Sequence, residues 1–129
     1  MTRKQAREEA FILVFEKQFN DEPIEDLLNL SAEVRDIVPD EYMKEVFSGV
    51  YGKLPELDGI ISENLVGWTI GRISKTALAV LRLALYEIKY MPDIPVSVSI
   101  NEAVELCKKY ATKEDASFVN GILSSVVKE

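Results

Sequence analysis

The chain has 129 residues, with 15 Lys and Arg against 22 Asp and Glu, so its net charge is -7. It contains no His and one Cys, Cys107, which excludes Ser-His-Asp triads, imidazole metal sites and disulfides within the chain. An acidic chain is a poor candidate for broad binding of nucleic acid. However, eight acids and one base, Arg35, fall in residues 21–41, so this one segment accounts for the whole net charge.

The first half of the chain has the apolar spacing of helices. The first helix is predicted over about 3–19, and Thr2 and Gln5 have the spacing of a capping box at its start. A short second helix is expected to begin near Pro23, since proline suits a first helical turn. After a polar connection, a third helix is predicted to begin after Asp40.

The third helical pattern continues to Ile61, but Pro55 lies inside it and should kink or split it. Residues 64–73 are predicted to form a short helix or turn around Trp68. Residues 75–90 are apolar on nearly every side, which predicts the central helix of a bundle. The most apolar part of that helix is too short to span a bilayer, so we expect no membrane segment.

Two capping patterns mark the helices at the end of the chain. Ser99 and Glu102 have capping-box spacing and predict a helix that runs to about Tyr110. Thr112 with Asp115 predicts the start of the last helix. The sequence therefore predicts an all-α domain of about six or seven helices.

Basic residues open the first helix. Its first two turns contain Arg3, Lys4 and Arg7, and no acid comes before Glu8. This arrangement is unfavourable, because cations at a helix N-terminus oppose the helix dipole. One interpretation is a helix end that presents guanidinium groups to phosphate, which they bind through paired hydrogen bonds. The other is a solvated helix start that aids solubility.

A second basic set, Lys108, Lys109 and Lys113, lies at and after the end of the penultimate helix. Cations at a helix C-terminus complement the dipole, so a structural role alone explains them. Tyr110 and Phe118 are nearby, and aromatic rings beside cations can stack on unpaired nucleotides. By its spacing Phe118 is more typical of the core.

Two further features leave alternatives open. Asn120 and Gly121 are poor helix formers inside the last helical pattern. They indicate a kink or close helix packing, or else an Asn amide that contacts a base edge or backbone. Trp68 and Arg72 are four residues apart and could stack, although a packing role explains Trp68 equally.

Three segments together carry a family resemblance. They are Leu81–Ile88, Ser99–Leu106 after Ile94-Pro95, and Phe118–Leu123. Their order and spacing resemble the NusB family of bacterial transcription antitermination factors, from about Arg3 to Val127.

The resemblance implies an all-helical, non-enzymatic protein without cofactor or metal, cytoplasmic, with two packed halves at about 1–62 and 63–129. It implies binding to single-stranded boxA RNA of nascent ribosomal RNA transcripts together with the ribosomal protein NusE. The pair would join other Nus factors and RNA polymerase in an antitermination complex. Family members occur as monomers and homodimers, so the oligomeric state stays open.

The family's RNA contacts come from the N-terminal basic motif and the start of the last helix. Carried to this sequence, they are Arg3, Lys4, Arg7, Lys113, Phe118 and Asn120. Ser117 stands where other members can carry Lys, which removes one potential phosphate contact, and Ala111 stands where Gly is common.

The resemblance places the ribosomal-protein surface near residues 71–82, with Arg72, Arg82 and Glu87 as candidate contacts. Arg82 lies inside an apolar helix and must find water or an acceptor. Since Glu87 is off its helix face, an acceptor on another helix is expected.

Two other functions remain as alternatives. The first is a helical protein–protein scaffold whose basic helix docks an acidic partner without specific RNA binding. The second is a small helical enzyme that holds an anionic substrate with buried Arg, for which only Arg72 and Arg82 are candidates.

Overall fold

A computed structural model describes residues 1–128 as helices joined by short connections. Within these residues there are seven α-helices and no strand, which confirms the predicted all-α class. The helices are α1 (Arg3–Lys17), α2 (Ile24–Arg35), α3 (Glu41–Gly52), α4 (Leu54–Glu63), α5 (Lys75–Tyr90), α6 (Val96–Tyr110) and α7 (Lys113–Val127). A 3-10 turn, Ile70–Arg72, lies between α4 and α5.

The predicted caps at the starts of α1 and α7 are confirmed. The amide of Gln5 donates to the Thr2 hydroxyl at 3.1 Å, and the amide of Thr2 donates to the Gln5 side chain at 2.7 Å. The amide of Asp115 donates to the Thr112 hydroxyl at 3.0 Å. These bonds satisfy N–H groups that have no partner inside a helix, so both helix starts are determined locally.

The predicted cap at Ser99 is wrong. Helix α6 begins at Val96, directly after Pro95, so Ser99 lies one turn inside it. Pro95 has a φ of -58°, which leads the chain into the helix earlier than the capping pattern indicated. The Ser99 side chain is only 2% exposed, and its hydroxyl binds Glu87 rather than the helix start.

Pro55 splits the third helical pattern, as predicted. Helix α3 ends at Gly52 and α4 begins at Leu54, so Pro55 lies in the first turn of α4. A proline there costs no hydrogen bond, because the first amides of a helix have no intrahelical acceptor.

Helix α5 is the centre of the bundle, as its apolar sequence predicted. It packs against α1, α3, α4, α6 and α7, and the buried side chains of all these helices form one cluster. Helix α2 lies at the edge, with Leu27 as its only buried residue. The acidic segment 21–41 therefore faces solvent, with all of its acids exposed except the half-buried Asp40.

None of the helices in residues 1–128 combines the length and the apolar character that crossing a membrane requires.

Gly49 and Gly59 provide a matched test of this packing. A Cβ at Gly49 would overlap the Tyr86 ring, so Gly49→Ala should destabilise the fold by about 1–3 kcal/mol. Gly59 lies inside α4, and a Cβ there meets no atom within 4 Å. Gly59→Ala should therefore stabilise the fold by about 0.5–1 kcal/mol. Urea unfolding measures both, and equal effects would contradict the close contact of α3 with α5.

Candidate nucleic-acid interface

The start of α1 presents two cations at the surface. Arg3 is exposed, and its guanidinium carbon lies 4.5 Å from the centre of the Tyr42 ring, within cation–π range. The side chain of Lys4 is 68% exposed, and its ammonium lies 3.2 Å from a carboxylate oxygen of Glu102 on α6. Both cations are thus positioned by neighbouring helices while they remain accessible to a ligand.

Arg7 does not join them, contrary to the expectation that it would face phosphate. Its side chain is 4% exposed, and its Nε donates to Glu87 Oε2 at 2.7 Å. A second, longer bond of 3.4 Å joins the same two side chains. Glu87 is fully buried, so its expected role as a contact for a protein partner is also wrong. The two residues form a buried ion pair between α1 and α5.

Glu87 accepts two further hydrogen bonds. One comes from the Tyr42 hydroxyl on α3, and one from the Ser99 hydroxyl on α6, at 2.7 Å. Burial, and then the negative charge of Glu87, raise the pKa of the Tyr42 hydroxyl, so it remains a donor. A single carboxylate therefore connects four helices, α1, α3, α5 and α6, and holds the start of α1 in place.

Long side chains bridge α1 and α6 beyond this buried pair. Glu8 accepts hydrogen bonds from Lys109 at 2.8 Å and from the Tyr110 hydroxyl at 2.6 Å. These bonds, first the one from Lys109, lower the pKa of Glu8. Together with the bond between Lys4 and Glu102 they enclose a cleft of about 160 Å³, which we call the α1–α6 cleft. Its two surface lysines are therefore already paired with carboxylates of the chain.

A larger groove of about 650 Å³ runs between α6 and α7, and we call it the α6–α7 groove. It brings together Lys113 and Asn120, two of the residues predicted from the resemblance, and adds Lys108. Within residues 1–128, Lys113 has no ion pair, whereas Lys108 lies 3.6 Å from Glu105. Glu105 lines both the groove and the α1–α6 cleft, so the two are neighbours across α6.

Phe118 is only half-buried, and it lies on the other flank of α7. Its ring stacks on Trp68, with 5.6 Å between ring centres and 28° between planes. Of the alternatives for Trp68, the packing role is therefore observed, with Phe118 as its contact. The two residues are fifty positions apart, and no local spacing in the sequence indicates that they meet.

The remaining candidates differ in accessibility. Arg82 donates two bonds to Asp58 on α4, at 2.8 and 2.9 Å, and its side chain is 11% exposed. The expected acceptor on another helix is therefore confirmed, and most of the guanidinium is occupied. Arg72, in the 3-10 turn, is exposed.

Comparisons with known proteins agree on one family. A family model described as the NusB family matches residues 4–128. The transcription antitermination protein NusB of Ruminiclostridium cellulolyticum is 44% identical over 130 residues, which are 99% of this chain and 90% of the relative. That of Listeria monocytogenes serotype 4a is 38% identical over 132 residues, covering 100% and 98% of the two chains.

Solved structures give the same result. NusB of T. maritima superimposes with a TM-score of 0.88 at 35% identity, covering 100% of this chain and 92% of that one. A chain in the crystal structure of the antitermination factors NusB and NusE in complex with double-stranded RNA gives a TM-score of 0.89 at 29% identity. That match covers 98% of this chain and 96% of the other.

The buried pair predicts unequal effects of two basic residues on stability. Arg7→Ala leaves the Glu87 carboxylate buried without its cation and should cost about 3–5 kcal/mol. Lys4→Ala breaks an exposed pair and should cost less than about 1 kcal/mol. Urea unfolding at neutral pH measures both changes. Should Arg7→Ala prevent folding, the double change Arg7→Met with Glu87→Gln should restore it, since no charge is left alone and the amide oxygen of the introduced glutamine can still accept from Tyr42 and Ser99. A cost for Arg7→Ala as small as that for Lys4→Ala would contradict the pair.

The hydrogen bonds of Glu8 should make a contribution to stability that depends on pH. The pKa of Glu8 is lowered from 4.5 in the folded state, so its bonds to Lys109 and Tyr110 stabilise the fold above pH 4.5. This contribution is lost as the pH falls below that value through the folded-state pKa. Glu8→Gln should therefore be less stable than the wild type at pH 7, by under about 1 kcal/mol, with a difference that shrinks in acid. Thermal unfolding of both proteins across pH measures this difference in stability. Glu33→Gln, on the exposed face of α2, is the control. A stability difference for Glu8→Gln that does not change with pH would contradict the stabilising bonds of Glu8.

Proposed function

Because the chain belongs to the NusB family of transcription antitermination proteins, which are not enzymes, we propose that it binds boxA RNA of nascent ribosomal RNA transcripts. It does so together with the ribosomal protein NusE, and the assembly joins other Nus factors and RNA polymerase in a complex that resists termination. The crystal structure of NusB and NusE with double-stranded RNA, whose fold this chain shares, supports an RNA and a NusE partner.

The observation that carries the proposal is the neighbouring position of the cleft and the groove across α6. Lys4 lines the α1–α6 cleft, and Lys113 and Asn120 lie in the α6–α7 groove. Arg3 precedes Lys4 at the start of α1 and lies over the Tyr42 ring. A single strand of RNA that crosses α6 contacts both sets. In this arrangement Arg3, Lys4 and Lys113 hold phosphates, and the Asn120 amide contacts a base edge or the RNA backbone.

The burial of Arg7 changes its proposed role. Its guanidinium is occupied by Glu87, so it positions α1 and with it Arg3 and Lys4, without touching the RNA itself. A loss of RNA binding in an Arg7 variant would therefore report a structural defect and not a lost RNA contact. A test of the RNA interface should use exposed residues instead.

The same geometry supports weak binding by the isolated chain. Phosphates that approach Lys4 or Lys109 compete with Glu102 and Glu8, which already neutralise these ammonium groups. NusE would strengthen binding by extending the RNA surface, and RNA would strengthen NusE binding by the same factor. The exposed Arg72 is the candidate contact for that protein partner, and Arg82 is mostly occupied by Asp58.

The experiment is a titration of labelled boxA RNA, and of a scrambled RNA of equal length, with and without NusE. We expect preference for boxA, and tighter binding with NusE. Lys4→Ala and Lys113→Ala should each weaken binding and reduce the slope of log K against log salt by about 0.7, the value for one phosphate contact on a single strand. Fluorescence anisotropy at several salt concentrations measures both quantities.

The matched control is Lys89→Ala, which removes one positive charge from an exposed site on α5 that lines neither the cleft nor the groove. It should change neither affinity nor slope. Equal affinity for boxA and scrambled RNA would contradict specific binding and would indicate nonspecific electrostatic attraction. If the chain binds NusE but no RNA at all, the scaffold alternative is correct.

A further inference from the structure

Trp68 packs on Phe118 and yet leaves much of its ring at the surface. It is the only tryptophan of the sequence, and 53% of its surface is accessible although its ring stacks on Phe118. The two rings form one wall of a groove of about 410 Å³ between the 64–68 connection and α7, which we call the aromatic groove. A single exposed apolar residue is ordinary, so the surroundings of the ring have to indicate whether it binds anything.

Gly121 is the first such indication. It lies inside α7, in the lining of the aromatic groove, and its φ is not in the left-handed region. A Cβ at this position would meet no atom within 4 Å in the part of the chain that is described. Neither a turn nor close packing within the chain therefore requires a glycine, which costs about 1 kcal/mol against Ala inside a helix. The bare backbone does, however, allow a ligand to approach closely.

The second indication is the position of the aromatic groove beside the cationic one. Ser117 lines both the aromatic groove and the α6–α7 groove, which contains Lys108, Lys113 and Asn120. Ser117 and Gly121 are one helical turn apart on α7, and the two grooves meet at the small side chain of Ser117. Cations beside an exposed aromatic face are the combination that binds single-stranded nucleic acids, through phosphates and through stacked bases.

We infer that Trp68 is a further RNA contact, on which one unpaired base stacks while the adjoining phosphate lies toward Lys113. The inference rests on the proposed function and extends the RNA path across α7 into the aromatic groove. The cations of the adjoining groove complement a phosphate, which favours RNA over an apolar protein segment as the occupant. Phe118 stacks on the indole, so in this inference it positions Trp68, whereas the resemblance made Phe118 itself an RNA contact.

The fluorescence of Trp68 tests this directly, because no other tryptophan contributes to the emission. Titration with boxA RNA should quench the emission with the same concentration dependence as binding followed by anisotropy of labelled RNA. Inorganic polyphosphate, which offers phosphates without bases, should leave the emission unchanged. RNA binding without a change in emission would overturn the inference.

Substitutions provide a second readout. Trp68→Ala should weaken RNA binding by about five- to a hundredfold, the usual effect of losing one stacked base, without changing the salt slope. Trp68→Phe should restore most of the affinity, since it retains an aromatic face. The matched control is Val66→Ala, because Val66 is 91% exposed and lines the same groove. Equal affinities of Trp68→Ala and Val66→Ala would overturn the inference.

Gly121→Ala separates binding from folding. It should raise the unfolding temperature, because the methyl group meets no neighbour, and lower the RNA affinity, because it stands where the RNA approaches the backbone. Unchanged affinity would contradict that close approach.

The outcomes also distinguish this inference from the proposed function. If the wild type does not bind boxA RNA, the proposed function fails. If it binds with the expected dependence on Lys4 and Lys113 but Trp68→Ala has no effect, only the stacking site fails. Quenching by NusE in the absence of RNA, with none by RNA, would assign the aromatic groove to a protein partner.

Discussion

The buried carboxylate of Glu87 is the constraint on which the rest of the structure depends. It accepts hydrogen bonds from Arg7, Tyr42 and Ser99, and so ties α1, α3 and α6 to the central helix α5. A buried charge without such partners would cost several kcal/mol. Each of α1, α3 and α6 therefore has to pack on α5 at the position along its axis where its donor reaches the carboxylate. The apolar core alone would tolerate sliding of one helix against another far better than this directional set of bonds does. The position of the α1 start, and therefore of Arg3 and Lys4, follows from that packing on α5.

Five cations of the predicted sites consequently divide into two groups with different roles. Arg7 and Arg82 are committed to carboxylates of the chain and hold helices together. Arg3, Lys4 and Lys113 remain exposed, with Lys4 at the cleft and Lys113 in the groove. The net charge of -7 does not oppose RNA at that surface, because it belongs to residues 21–41, whose acids face solvent around α2. What weakens the attraction locally is a different pair of acids, Glu8 and Glu102, which lie between the lysines.

The sequence predicted those parts of the structure that depend on short-range patterns. The caps at Thr2 and Thr112 and the all-round apolar α5 were correct because each is determined within a few residues. Arg7 and Ser99 were misjudged because their partner, Glu87, is 80 and 12 residues away. A signal did exist: an Arg on the apolar stripe of α1 and an acid inside the apolar run of α5 each require a buried partner of opposite charge. The contact of Trp68 with Phe118 has no such signal, since both residues are compatible with ordinary core positions.

The bridge between α1 and α6 has a consequence for how RNA would bind. Lys4 and Lys109 close the α1–α6 cleft by pairing with Glu102 and Glu8, and the same ammonium groups are the ones a phosphate would approach. Under the proposed function, RNA binding at this cleft would exchange intramolecular ion pairs for phosphate contacts, and its net gain would be smaller than the number of contacts suggests. Lys113 has no ion pair within residues 1–128, so a phosphate that binds it displaces no carboxylate of the chain. Under the proposed function, the α7 side of the path should then contribute more to the free energy of binding than the α1 side.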